Sequence, residues 1–218
     1  EDFQLEELHI AGEKCAALRV PQIVITAAGE TDQKERIADA LLTARAGQDI
    51  VYAGWAGLEG MLRIIGEKEA ELRERFTPAF IGQMKAYDSE LCGLSKIAVA
   101  DAMGVSVIRQ VSRGGILASL WDLAKDTELG LNLDLKKIAV RQETIEVCEH
   151  FRLNPYQLAS GGSFLMLTEN GEALADALNQ KGIQAAVIGQ LTDSNDKIIH
   201  NGEDMRYIDR PAPDELMK

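Results

Sequence analysis

The stretch that decides the fold is Val105–Lys125, VSVIRQVSRGGILASLWDLAK. An apolar run through Val105, Val107, Ile108 and Val111 meets Ser112-Arg113-Gly114-Gly115. It then passes into Ile116–Ala124, whose apolar residues return at helical spacing. The order is strand, glycine turn, helix. Paired glycines let backbone N–H groups approach a ligand, and the start of a helix presents unpaired donors with partial positive charge. Ser112, Gly114 and Gly115 therefore form a candidate phosphate cradle, with Arg113 and Arg109 as nearby cations and Gln110 closing the strand. The same glycines also serve a plainer purpose, turning the chain and letting a helix lie close to a sheet. On the turn alone both readings stand.

Toward the amino terminus, Asp49–Ala53 reads as a strand. Leu58, Met61, Leu62, Ile65, Leu72 and Phe76 mark one face of a long helix that Pro78 ends. Glu69 with Arg73 and Glu71 with Arg75 stand four residues apart, the spacing of a solvated helix surface. A second helical pattern through Leu91, Leu94, Ile97, Ala98 and Ala102 puts those apolar residues on its core face and stops at Gly104. Before Gly47 lies a segment, residues 1–46, read as a helix through Leu5, Leu8, His9, Cys15 and Leu18 followed by a strand over Gln22–Thr26.

Toward the carboxy terminus, Leu131, Leu133 and Leu135 alternate as in a half-buried strand, and Thr144–Phe151 returns to helical spacing. Asn154-Pro155 reads as an N-cap followed by proline. A buried strand over Phe164–Leu167, a helix through Ala173–Leu178 and a strand over Ala185–Ile188 follow. A hairpin about Asn201-Gly202 then joins Lys197–Ile199 to Met205–Tyr207. Strands alternating with helices and closed by a hairpin imply an α+β fold, a mixed sheet with packed helices. The strand–helix–strand units near residues 105 and 185 suggest a partial ferredoxin-like duplication. The main domain is then 47–210, and Pro211 and Pro213 open a tail, 211–218.

A chain of 218 residues buries roughly 70% of the surface it exposes unfolded, so it needs neither disulfides nor metal to fold. A formal charge of −12 disfavours sequence-independent binding to nucleic acid or anionic membranes. Cys15, Cys92 and Cys148 lack metal or redox spacing and sit among apolar helical neighbours, which reads as core thiols in a reducing, cytoplasmic setting. His9, His150 and His200 are as scattered, and no metal site is expected. No apolar run is long enough to span a bilayer.

Three stretches together, Gly47–Gly60 (GQDIVYAGWAGLEG), Val111–Ala124 (VSRGGILASLWDLA) and Arg141–Met166 (RQETIEVCEHFRLNPYQLASGGSFLM), resemble the carboxy-terminal domain of the AIR synthase superfamily. Their nearest branch is the AIR synthase-related proteins similar to hydrogenase maturation factors. The resemblance implies an ATP-using chemistry that activates an oxygen by phosphorylation, at a cleft between two domains. It further implies that most metal and nucleotide ligands belong to an amino-terminal domain. Residues 1–46 hold only Asp2, Asp32 and Asp39 in its place.

The motifs also depart from the family's pattern. Where the family's turn commonly reads Asp-x-Thr/Ser-x-Gly-Gly, this chain has Gln110-Val111-Ser112-Arg113-Gly114-Gly115, which loses a carboxylate able to take a proton or hold Mg²⁺. A later loop, often Ser-Glu-Gly-like, here reads Ser160-Gly161-Gly162-Ser163. The sequence ends Asp214-Glu215-Leu216-Met217-Lys218, without the terminal cysteine that carries the reacting group of hydrogenase maturation factors.

Three functions are compatible with this pattern. The first is a non-catalytic domain that binds a nucleotide or phosphate, ATP with Mg²⁺ in the family's manner, through Gln110, Ser112, Arg113, Gly114 and Gly115, with Arg109 and the Ser160-Gly161-Gly162 loop nearby. The second is an enzyme whose site is completed by another subunit supplying an amino-terminal-type domain, with Asp101, Asp122 and Glu143 as candidate acids on otherwise solvated helix positions. The third is an interaction module that covers its exposed face as a homodimer.

Overall fold

Ile50, Val51, Tyr52 and Ala53 are all apolar, and side chains alternate across a strand, so this segment must be covered on both faces. The computed structural model describes residues 7–14, 21–28, 41–105 and 107–217, the first two stretches by their backbone. The chain forms two compact units, Glu1–Asp39 and Ala40–Lys218.

In the first unit, β1 (Glu7–Lys14) pairs antiparallel with β2 (Pro21–Ala28), in register from Glu7 opposite Ala28 to Lys14 opposite Pro21. The strand expected over 22–26 is present, and the expected helix is instead β1. Leu8-His9-Ile10 also alternates with period two. A ladder to an extended neighbour supplies interstrand bonds, whereas an isolated helix of this length is marginal in water. Cys15 lies outside the described residues.

The second unit is built on a seven-stranded sheet in the order β4 (Val107–Val111), β6 (Ser163–Thr168), β3 (Asp49–Ala53), β7 (Ala185–Thr192), β5 (Gly130–Asp134), β8 (Lys197–Asn201), β9 (Asp204–Tyr207). Only β5 and β8 pair in parallel, so the sheet is mixed, as expected of an α+β domain. β3 is flanked by β6 and β7, both antiparallel to it. The unit β6, α6 (Gly171–Gln180), β7 is thus a βαβ crossover split by β3. The passage from β4 through α4 (Gly115–Thr127) to β5 is a second split crossover.

Ile50 and Tyr52 face the layer formed by Ile116, Leu120 and Leu123 of α4. Val51 and Ala53 face the opposite layer, where Leu174 and Leu178 of α6 meet Ala100 of α3 (Leu94–Ala102). A third cluster joins α1 (Leu58–Leu72), α2 (Pro78–Lys85) and α5 (Gln142–Phe151) through Met61, Ile65, Met84 and Val147.

Local signals in the sequence are realised with four adjustments. Pro78 opens α2 rather than only ending α1, because Thr77 caps it by accepting a bond from the Phe80 amide at 3.3 Å. The face of α3 is inverted: Leu94 and Ile97 are 75% and 40% exposed, while Lys96 and Ala100 are buried. Ala100 is small enough to let the helix approach the layer beneath, and the Lys96 ammonium donates to the Glu90 and Cys92 carbonyls at 2.9 and 3.2 Å. Glu69 pairs with Arg73 and Lys85, each at 2.6 Å, whereas Arg75 reaches Glu146 instead of Glu71. The hairpin turn is Gly202-Glu203, one residue later than expected, with glycine first at φ +69°, as primed turns require. Asn154 caps the turn at Pro155 as expected, its Oδ1 accepting from the Tyr156 amide at 3.0 Å.

Candidate functional site

Three loops meet where β3 and β4 end and β6 begins. The exit of β3, Gly54–Gly60, is bound to the approach to β6. The Gly57 amide donates to Ser160 Oγ at 2.8 Å and the Gly60 amide to the Ala159 carbonyl at 2.9 Å. The Ser160 hydroxyl in turn donates to the Leu158 carbonyl at 2.8 Å. The exit of β4 joins them through the Ser160 amide and the Ser112 carbonyl, 3.4 Å apart. Gly115, at φ +66°, lies so close to the Tyr156 carbonyl that a Cβ there would stand 2.4 Å from its oxygen. The two glycine loops singled out in the sequence are therefore one packed cluster.

Within it the expected site residues have different fates. Ser112 and Arg113 are exposed at the rim, and Gly161 is half-buried beside them. Gly114 and Gly115 are buried and their amides are engaged. Gly115 donates to the Ser112 carbonyl at 3.2 Å, and Gly114 donates to Oδ2 of Asp214 at 2.7 Å. Gly162 is buried against the carbonyl of Leu91. Arg109 turns toward α4, where it pairs with Asp126 at 2.5 Å and lies 4.0 Å from Asp122. Gln110, the next residue along β4, is exposed. Its side chain belongs to the opposite face of the strand, so Arg109 and Gln110 do not converge on one ligand position.

Two groups at this end of the sheet, Glu59 and Arg141, are not marked as site residues by the sequence. Glu59, in the first turn of α1, accepts from the Gly161 amide at 2.8 Å and from Arg63 at 2.5 Å. A Cβ at residue 161 would stand 2.6 Å from that carboxylate, so the glycine makes room for Glu59. The guanidinium of Arg141 lies between the Trp55 ring, 4.2 Å from its centroid, and the Tyr87 ring, at 3.8 Å, and pairs with Glu90. Glu143 is buried, not solvated as its helix position suggested, because Gln83 and Tyr87 donate to its Oε1 at 2.9 and 2.7 Å. Asp122 remains solvent-exposed on α4 and Asp101 on α3.

Electrostatics separate the cysteines. Burial, reinforced by the negative charge of Glu215, pushes the Cys148 thiol up to about 12, so it is an inert core thiol. Cys92 is exposed, contrary to the core position expected of it, because it follows the short turn Ala86–Leu91 rather than lying inside a helix. Burial lowers the pKa of Lys96 despite the opposing influence of Glu90 and Cys92. Among the described residues no three His, Cys, Asp or Glu side chains are grouped to hold a metal ion. Nor is any described helix long and apolar enough to cross a membrane.

Three loops gathered at one end of a mixed sheet covered on both faces define an α+β domain of the AIR synthase carboxy-terminal type. Residues 45–201 match the AIR synthase related protein, C-terminal domain, and the chain belongs to that family. It is 26% identical over 153 residues to the carbamoyl dehydratase HypE of Rhizobium leguminosarum bv. viciae, covering 68% of this chain and 41% of the relative. It is 23% identical over 214 residues to a putative hydrogenase expression/formation protein, MJ0676, of Methanocaldococcus jannaschii, covering 95% of this chain and 61% of the relative. The chain thus spans less than two thirds of the length of these relatives. In fold it is similar to a structure of the hydrogenase maturation protein HypE in complex with ATP, with a TM-score of 0.58 at 17% identity over 80% of this chain and 54% of that one.

Proposed function

We propose that this chain supplies the carboxy-terminal side of a nucleotide site and binds a phosphate-bearing ligand, with ATP the first candidate, without turning it over by itself. The observation that carries the reading is the seat at Gly114, where a carboxylate already sits 2.7 Å from the turn's amide. A backbone donor that holds one anion at a helix start is suited to a phosphate oxygen. Ser112 and Arg113 at the same rim would add a hydroxyl and a charge. An amide at Gln110 contributes no negative charge for Mg²⁺, so metal would be carried by the phosphates or by ligands outside these loops. The ATP complex of a HypE of similar fold supports the choice of ligand.

Thermal unfolding with and without Mg²⁺-ATP, ADP, AMP and phosphate tests the reading. A ligand at one hundred times its Kd adds about 2.7 kcal/mol, roughly 5 to 10 °C for a unit of this size. The shift is expected with ATP and is expected to vanish in Arg113→Glu. No shift with any of these ligands overturns the reading.

A second reading is a site completed by a domain outside these 218 residues, since the relatives extend well beyond the matched part, which is 41% and 61% of their lengths. Turnover of ATP only on addition of a chain bearing an amino-terminal-type domain would establish it. The exposed Leu94 and Ile97 on α3 suit a homodimer contact. Sedimentation showing only monomer would remove it.

A further inference from the structure

We propose that β9 is a self-complementary edge: two copies of the chain pair through their β9 strands, antiparallel about a two-fold axis at Met205, and so join their sheets into one. The contact lies at the end of the strand order away from β4 and does not rest on the phosphate-site reading above.

The main chain of β9 has a bonded side and an outer side. The strand ends the sheet order, where it pairs with β8, and all four of its residues are exposed. The Ile208 amide donates to the Lys197 carbonyl at 2.8 Å, which fixes the phase of the ladder. Ladder bonds alternate sides along an antiparallel strand, so Asp204 and Arg206 also turn their main-chain groups toward β8. Those of Met205 and Tyr207 point out of the sheet. A second β9 centred on Met205 exchanges both amide-to-carbonyl bonds between that residue and its own copy, and continues through Tyr207 opposite Glu203.

The side chains select that register. Asp204 and Arg206 share one face of the strand and stand opposite Asn201 and Ile199 of β8, neither of which carries charge. A two-fold pairing centred on Asp204 would oppose two carboxylates, and one centred on Arg206 two guanidinium groups. Centred on Met205, each Asp204 faces Arg206 of the other copy, twice over by symmetry. These are non-hydrogen-bonded positions, where facing side chains approach most closely. On the other face Met205 meets its own copy and Tyr207 lies diagonally beside it. Both are 60% exposed in the single chain, and pairing covers them with thioether against ring. Charges on an edge strand ordinarily keep other chains away. Here two opposite charges stand two residues apart, so they repel the neighbouring symmetric registers and attract in this one.

The test is sedimentation equilibrium over a concentration series for the wild type, Met205→Pro, Asp204→Arg, Arg206→Asp and an equimolar mixture of the last two. Salt at about 0.15 M screens beyond about 8 Å and so limits the repulsion between two chains of net charge −12. The wild type is expected to dimerise. Met205→Pro removes the central outward donor and leaves the bonds to β8 in place, so it is expected to fold and to lose the dimer. Asp204→Arg and Arg206→Asp each turn both ion pairs into like-charge pairs, and each is expected to raise the dimer Kd about tenfold or more. Their mixture sets two arginines of one chain against two aspartates of the other. It is expected to restore association as a heterodimer, which native mass spectrometry identifies by mass. A wild type that stays monomeric at every concentration overturns the proposal. So does a dimer that survives Met205→Pro and both charge reversals unchanged, which would move the contact to another face such as Leu94 and Ile97 of α3. A mixture no more associated than its components overturns the register. Should the variants fail to fold, amide exchange in the wild type decides: protection of Met205 and Tyr207 that is lost on dilution supports the contact, and exchange there that is independent of concentration overturns it.

Discussion

Replacing three glycines by alanine separates backbone strain, steric overlap and chain entropy. At Gly66, inside α1, φ is not positive and an added Cβ meets nothing within 4 Å. Gly66→Ala should therefore stabilise by about 0.5 to 1 kcal/mol, through helix propensity and a less flexible unfolded chain. Gly182, after α6, is equally open but sits at φ +75°, so Gly182→Ala should cost about 1 kcal/mol for the left-handed conformation alone. Gly115 adds overlap to the same strain. At φ +66° its Cβ would stand 2.4 Å from the Tyr156 oxygen and 2.8 Å from the Leu158 oxygen, both backbone atoms that no rotamer change can move. Adding about 1 to 3 kcal/mol for overpacking to the conformational cost gives roughly 3 kcal/mol for Gly115→Ala. Urea unfolding measures the three values on one scale, and at the second unit's size a loss of that order lowers Tm by roughly 6 to 12 °C. A Gly115→Ala no worse than Gly182→Ala would refute the steric argument, and with it the direct packing of the two loops.

Stability should fall as pH rises above about 9, because the unfolded Cys148 thiol ionises there while the buried one holds its proton up to about 12. Between those values the native state binds the extra proton, and the loss is about 1.4 kcal/mol per pH unit for that group. Tyr52 and Tyr156, whose pKa values burial also raises, extend the decline above pH 10. Urea titrations from pH 7 to 11 check the slope, and Cys148→Ala should flatten its first part. In a parallel thiol assay on the folded protein, Cys92 should react and Cys148 should not. Arg141→Lys keeps the charge but loses the flat guanidinium between Trp55 and Tyr87, and should cost about 1 to 2 kcal/mol, read as a lower urea midpoint at unchanged slope.

Much of the fold is carried by local pattern. β3, β5 and β6 fall where apolar runs or alternation placed them, and α4 follows its glycine turn as the spacing requires. These are elements whose own residues record which face is covered. α3 is different: its leucines alone predict the opposite face, because the space beneath admits Ala100 and the buried Lys96 is satisfied by carbonyls outside the helix. β1 replaces the helix expected there because a short stretch fits both periods and only its partner strand decides between them. At the candidate site, the glycine loops were legible as turns, but their mutual contact was not, since it depends on bonds joining residues about fifty and one hundred positions apart. Asp214 carried a faint signal, an acid following proline and preceding Glu-Leu-Met, which is a helix-capping pattern. Nothing in that pattern names Gly114 as its second partner.

An interior strand of the sheet is made first and completed late. β3 ends at Ala53, yet its neighbours β6 and β7 begin at Ser163 and Ala185, more than one hundred residues downstream. At about 5 to 20 residues per second, synthesis leaves Ile50-Val51-Tyr52-Ala53 without either flanking strand for several seconds. Such a segment, apolar on both faces and open along both edges, is a template for unwanted pairing with other nascent chains. The sheet's topology thus makes the ribosome-bound chain, more than the finished protein, the form most in need of a chaperone.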